Sequence, residues 1–92
     1  METRKFSSLA LSPFSVPSIE QRIKVLRIAG EHERLVRDEE RQRITTISRS
    51  RTWMLEREGR HPKRRKLGAN SVAWLLSDLL WFIHNPSDDP IA

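Results

Sequence analysis

The sequence contains no cysteine, which excludes disulfides and thiolate metal sites and leaves packing, with self-association as a second resource, to hold the fold. No apolar run approaches the roughly 20 residues that span a bilayer. The start, Met1-Glu2-Thr3-Arg4-Lys5, is basic, but Ser residues, Pro13 and Pro17 interrupt the next stretch, and no small-residue cleavage pattern is present, so no secretory signal is read. There is no glycine-rich phosphate loop. His32, His61 and His84 are scattered, away from ligand-spaced acids, and Asp88-Asp89 falls in an expected mobile tail, a poor scaffold for paired carboxylates. These absences argue against an enzyme. No cofactor, metal, membrane or small-molecule substrate is expected, and the expected location is the cytoplasm.

What is present is charge, unevenly placed. The 92 residues carry a net +5. Between Arg49 and Lys66 there are eight Lys/Arg against Glu56 and Glu58, a net +6, while the rest of the chain carries nine basic and ten acidic groups, a net −1. All the excess positive charge therefore lies in one 18-residue window. A clustered basic surface is what a polyanion-binding face needs, because each neutralised phosphate releases counterions. A solvated basic loop explains charge alone equally well.

The chain is long enough for one small domain with an arm or tail. Residues 1–17 mix Ser, Pro and isolated apolar residues without period and read as a flexible arm. Ser18 can cap a helix with Ile19, Ile23 and Leu26 on one face, stopped by Gly30, so 18–30 reads as an accessory amphipathic helix that must dock on something. Residues 34–84 read as the main domain. Leu35-Val36 makes a short extended entry and a charged helix is expected at about 38–44. Ser48 then caps a second helix, Arg49 to Glu58, stopped by Gly59. Helix, turn, helix is the outline of a helix-turn-helix. After Pro62, Lys63 to Leu67, the turn Gly68-Ala69-Asn70-Ser71 and Val72 to Trp74 read as a basic hairpin, the outline of a wing. A strongly apolar helix, about Leu75 to His84, ends at Asn85-Pro86, and 85–92 is expected to be a flexible, acidic-leaning tail.

The run Gly59-Arg60-His61-Pro62-Lys63-Arg64-Arg65-Lys66-Leu67-Gly68, continued by Asn70-Ser71-Val72-Ala73-Trp74-Leu75, resembles the signature of AlpA-family prophage regulators, as does the turn Thr45-Thr46-Ile47-Ser48-Arg49-Ser50. The resemblance spans roughly Arg34 to Ile83. It implies a mostly α fold with a small β-hairpin wing, a winged helix-turn-helix related to excisionase and MerR DNA-binding domains, to which this chain adds the N-terminal amphipathic helix. It also implies a bacterial setting, double-stranded DNA as partner, and a role as transcription regulator or excision factor of a mobile element. On that geometry Ser48, Arg49, Ser50, Arg51 and Thr52 lie at the start of the recognition helix, where Arg49 or Arg51 can pair with guanine O6 and N7. Lys63, Arg64, Arg65 and Lys66, with Asn70 and Ser71 in the turn, are expected to meet phosphate or enter the minor groove.

Each assignment has a plainer competitor. Ser48 caps its helix whether or not DNA is bound. Arg57 and Arg60 are expected to be solvated or paired with Glu56 or Glu58. Strand alternation puts Lys63, Arg65 and Leu67 on one face and Arg64 and Lys66 on the other, so only half of these charges should meet one phosphate track. Trp53, where the family has Tyr, is expected to pack, and Trp74 to be core. Arg41 stands where the family has an apolar core residue, His61 replaces Phe, and Thr46 replaces the turn glycine, losing easy access to positive φ.

The last helix departs from the family. At about 100° per residue, Leu75, Leu79, Phe82 and Ile83 share the expected core arc, and Leu76, Leu80 and Trp81 extend the apolar surface where the family places polar residues. That surface needs a partner. The stripe Ile19, Ile23 and Leu26 is expected to cover Leu76, Leu80 and Trp81, in the same chain or across a homodimer. Two other functions compete with transcription regulation: an excisionase-type directionality factor that bends DNA and assembles side by side on it, and a protein-interaction module (anti-repressor or host-factor binder) using the last helix.

Overall fold

The computed structural model describes residues 13–84. Most of the expected arm (1–12) and the whole of the expected tail (85–92) lie outside the described residues. Within them the chain forms α1 (Ile19–Ala29), β1 (Leu35–Val36), α2 (Asp38–Thr45), α3 (Arg49–Arg57), β2 (Arg65–Lys66), β3 (Val72–Leu75) and α4 (Leu76–His84). This is a mostly helical winged helix-turn-helix with a small three-stranded antiparallel sheet, in which β3 lies between β1 and β2.

Local chemistry sets the helix ends. Ser18 and Gln21 make a capping box, with Ser18 Oγ accepting the Gln21 N–H at 3.1 Å and Gln21 Oε1 accepting the Ser18 N–H at 2.9 Å. Gly30 closes α1 at φ +68°, a left-handed position that costs glycine little. Asp38, Glu39 and Glu40 fill the first turn of α2, favourable toward its positive end. Thr46 then takes φ +62° to turn the chain toward α3, so the threonine enters the left-handed conformation that it was expected to reach less easily than glycine. Gly59 comes after α3 at φ +74°.

The sheet is shorter on one side and longer on the other than the sequence suggests. Only Arg65 and Lys66 pair, opposite Ala73 and Val72. Pro62 has no N–H to give to a ladder, and Arg64 is turned inward. On the other side β1 pairs Leu35 with Leu75 and Val36 with Trp74, which keeps Leu75 extended. The last helix therefore starts at Leu76. Its N-terminus is held by Arg34, whose carbonyl accepts the Leu76 N–H at 2.8 Å, and by Glu33, whose carboxylate accepts the Ser77 N–H at 3.0 Å.

Val25, Val36, Trp74, Leu76, Leu79 and Leu80 form the buried core, with Leu26, Ile44, Val72 and Trp81 packed at its margin. α1 thus covers α4 within the same chain, but on a different stripe from the one expected. Val25 is buried and Leu26 partly so, whereas Ile19 is 74% and Ile23 50% exposed. The cause is polar. Arg22 donates to Ser77 Oγ at 2.7 Å and pairs with Asp78 at 2.8 Å, and Ser77 Oγ donates to Glu33 at 2.6 Å. Ser77 and Asp78 are themselves buried, so α1 is rotated until Arg22 reaches them. Ile83 likewise leaves the expected core arc and is exposed.

Residues 13–17, read as the end of a flexible arm, are docked. The Phe14 N–H donates to the Gly59 carbonyl at 2.8 Å, its ring meets Phe82 edge-on at 6.3 Å, and Pro17 is buried.

Candidate nucleic-acid interface

The turn between α2 and α3 is fixed from inside by Arg41. Its guanidinium is fully buried, pairs with Asp38 at 2.9 Å, and donates to Thr45 Oγ1 at 3.2 Å and to the Ile47 carbonyl at 2.8 Å. It also lies 5.4 Å from the Trp74 ring centre. The long stem is buried and the head ties down the turn, so a charged residue sits inside the fold with its charge met locally.

Ser48 caps α3, accepting the Arg51 N–H at 3.2 Å. At about 100° per residue, Arg49, Ser50, Trp53, Met54 and Arg57 fall on one stripe, and all five are exposed. The first-turn N–H groups at Arg49 and Ser50 precede the helical ladder, which leaves them suited to an anionic oxygen. Arg51 is exposed but lies on the flank of the helix away from this stripe's centre. Thr52 corrects the sequence reading: it is 1% exposed, on the inward side with Leu55 and Glu56, and cannot reach a base edge.

The wing meets α3 through Arg64, which is a second correction. Rather than facing fully into solvent, Arg64 is turned inward: it donates from Nε to Glu56 at 2.7 Å and stacks its guanidinium 4.2 Å from the Trp53 ring centre. Lys63, Arg65 and Lys66 are exposed, as is Asn70, while Ser71 is partly buried and its carbonyl closes the turn by accepting the Leu67 N–H at 2.8 Å. Wing and recognition helix therefore adjoin along the Trp53–Arg64 contact. Arg60 pairs with Glu58, as expected, and Arg57 remains exposed.

Glu56 is the hub of this contact. Its Oε2 accepts the Trp74 indole N–H at 2.9 Å, and His61 Nδ1 stands 3.6 Å away, hydrogen-bonded instead to the Pro62 carbonyl at 2.8 Å. Burial pushes the Glu56 carboxyl up, but His61, Arg64 and Trp74 outweigh it and hold the group below the ordinary 4.5.

Sequence reasoning placed the exposed cations but missed the inner layer. Arg22, Arg41, Glu56 and Arg64 all read as surface charge by type. The one available signal was that Arg41 occupies a position where an apolar side chain belongs. Among the described residues there is no group of three or more His, Asp or Glu able to hold a metal ion, and no helix long and apolar enough to cross a membrane.

The family model described as Prophage CP4-57 regulatory protein (AlpA) matches residues 34–85. No curated protein and no solved structure matches the chain.

Proposed function

Because the chain belongs to the AlpA family of prophage regulatory proteins, a membership that implies DNA binding, we propose that it is a sequence-specific double-stranded DNA-binding protein acting as a transcription regulator of a phage or mobile element. In this reading α3 enters the major groove, and the wing follows the backbone or the adjacent minor groove. The protein is assigned no catalytic role and works in the bacterial cytoplasm. One observation carries the reading: the exposed stripe of α3 that begins at Arg49 adjoins the exposed wing cations Lys63, Arg65 and Lys66 across the Trp53–Arg64 contact.

Arg49, at the edge of the stripe nearest the wing, is assigned to base reading, with Ser50 beside it on base or phosphate. Arg51, on the far flank, is assigned to phosphate. Reading the chain as an interaction module through its last helix has less in its favour, since Leu76, Leu79 and Leu80 are already buried against the rest of the chain.

Selection of bound sequences from random duplexes tests the proposal. Wild type is expected to enrich one motif. Arg49→Ala should change that motif, and Lys63→Ala/Arg65→Ala should keep it while weakening every site and lowering the salt dependence. Recovery of the wild-type motif by Arg49→Ala would defeat the assigned readout.

A further inference from the structure

We propose that Arg64 is a positioning residue: with Glu56 and Trp53 it sets the angle of the wing on the recognition helix, and it is not one of the cations that meet DNA. The inference rests on the reading of α3 and the wing as a single DNA surface, and deepens it by naming what joins the two.

Among Lys63 to Lys66, Arg64 alone is turned inward, with 20% of its side chain exposed. Its Nε and its planar face are both engaged, Nε by Glu56 at 2.7 Å and the guanidinium face by Trp53 at 4.2 Å. Glu56 is equally committed. Its side chain is 9% exposed, and its second oxygen takes the indole N–H of Trp74, 18 residues away on the central strand. The joint therefore links three elements: the wing through Arg64, the recognition helix through Glu56 and Trp53, and the core through Trp74.

The wing needs such a joint because its own ladder is short. Two residue pairs, Arg65 with Ala73 and Lys66 with Val72, connect β2 to β3. A two-stranded ribbon of that length is marginal by itself and does not fix its own direction. Arg64 immediately precedes the ladder, where a side-chain anchor has most leverage over where Arg65 and Lys66 point. A stacking guanidinium whose Nε–H points at Glu56 suits that role, and lysine cannot supply the planar stack and that directed bond together.

Two substitutions separate positioning from direct contact, because for each of them charge alone predicts something other than a loss of affinity. Glu56→Gln removes a negative charge close to the DNA face, which should tighten binding if only net charge mattered. Arg64→Lys keeps the charge and should be silent if Arg64 merely met phosphate. The joint predicts that both variants weaken binding to the selected duplex roughly tenfold, the loss of about one base pair's worth of readout. The slope of log affinity against log salt should stay at the wild-type value, whereas Lys63→Ala/Arg65→Ala should lower it by about one for each phosphate no longer neutralised.

Amide hydrogen exchange on the DNA-free proteins reads the joint without reference to function. Faster exchange at Arg65, Leu67 and Ala73, whose amides bond across the β2–β3 ladder, is expected in both variants, with α1 and α4 unchanged. Wild-type affinity in Arg64→Lys, tighter binding in Glu56→Gln, or a salt slope below the wild-type value in either variant would overturn the proposal. Should Arg64→Lys unfold, the sign of the change in Glu56→Gln decides. A wild type that selects no duplex would instead remove the DNA-binding reading, and the exchange data would still decide whether the joint exists.

Discussion

A guanidinium taken out of water keeps its charge, so acceptors must meet it, and Arg41 shows how this chain arranges that. Asp38 receives its Nε donor, and Thr45 and the Ile47 carbonyl receive Nη1; all three lie on α2 or in the turn after it. Arg41 is thus the residue that holds the helix-turn-helix corner. Glu56 is the acidic counterpart, a nearly buried carboxylate stabilised as an anion by Arg64 and Trp74. Its pKa is lowered in the folded protein, so the unfolded chain binds its proton more readily. The stability it contributes is complete above the ordinary carboxylate value of 4.5 and is lost as pH falls through the depressed folded value. Melting followed from neutral pH down to about pH 3 should show wild type losing stability on this acid limb, with Glu56→Gln starting lower and falling less steeply. Parallel acid limbs in the two proteins would show that Glu56 makes no such contribution.

At the scale of elements, helix boundaries were legible because they rest on local chemistry. Ser18, Gly30, Ser48 and Gly59 each mark an end that the backbone confirms, and the basic hairpin after Pro62 was readable as well. Which face of a helix turns inward was not legible where a distant polar group decides it. Nothing near Arg22 in sequence announces Ser77 and Asp78, and their pull exposes Ile19 and Ile23 in favour of Val25. Truncations separate the two stripes. Val25→Ala should cost about 2 kcal/mol through the cavity it leaves, and Ile23→Ala should stay within about 0.5 kcal/mol. Chemical denaturation measures both. The reverse order would restore the stripe expected from periodicity.

On the scale of the whole molecule, two packing jobs are kept apart. α1 and α4 close the core on one side, sealed by Arg22, Ser77, Asp78 and Glu33, and this absorbs the apolar surface for which the sequence sought a partner. The excess positive charge is left to α3 and the wing. Charge clustering along the chain foretold that these segments carry the function, since eight of the 17 basic residues fall in one window. It did not foretell that Thr52 and Arg64 would turn inward, because residue type reports charge and not direction. Everything proposed for function requires the first turn of α3 and the wing to form a single DNA-binding surface. Backbone amide mapping by NMR, as the selected duplex is titrated into labelled protein, tests this without an intermediary. Arg49, Ser50 and Trp53 are expected to shift together with Lys63, Arg65 and Lys66, while Ile19, Ile23 and the α4 amides stay in place. Shifts confined to α1 and α4, or to the wing without α3, would contradict a shared surface.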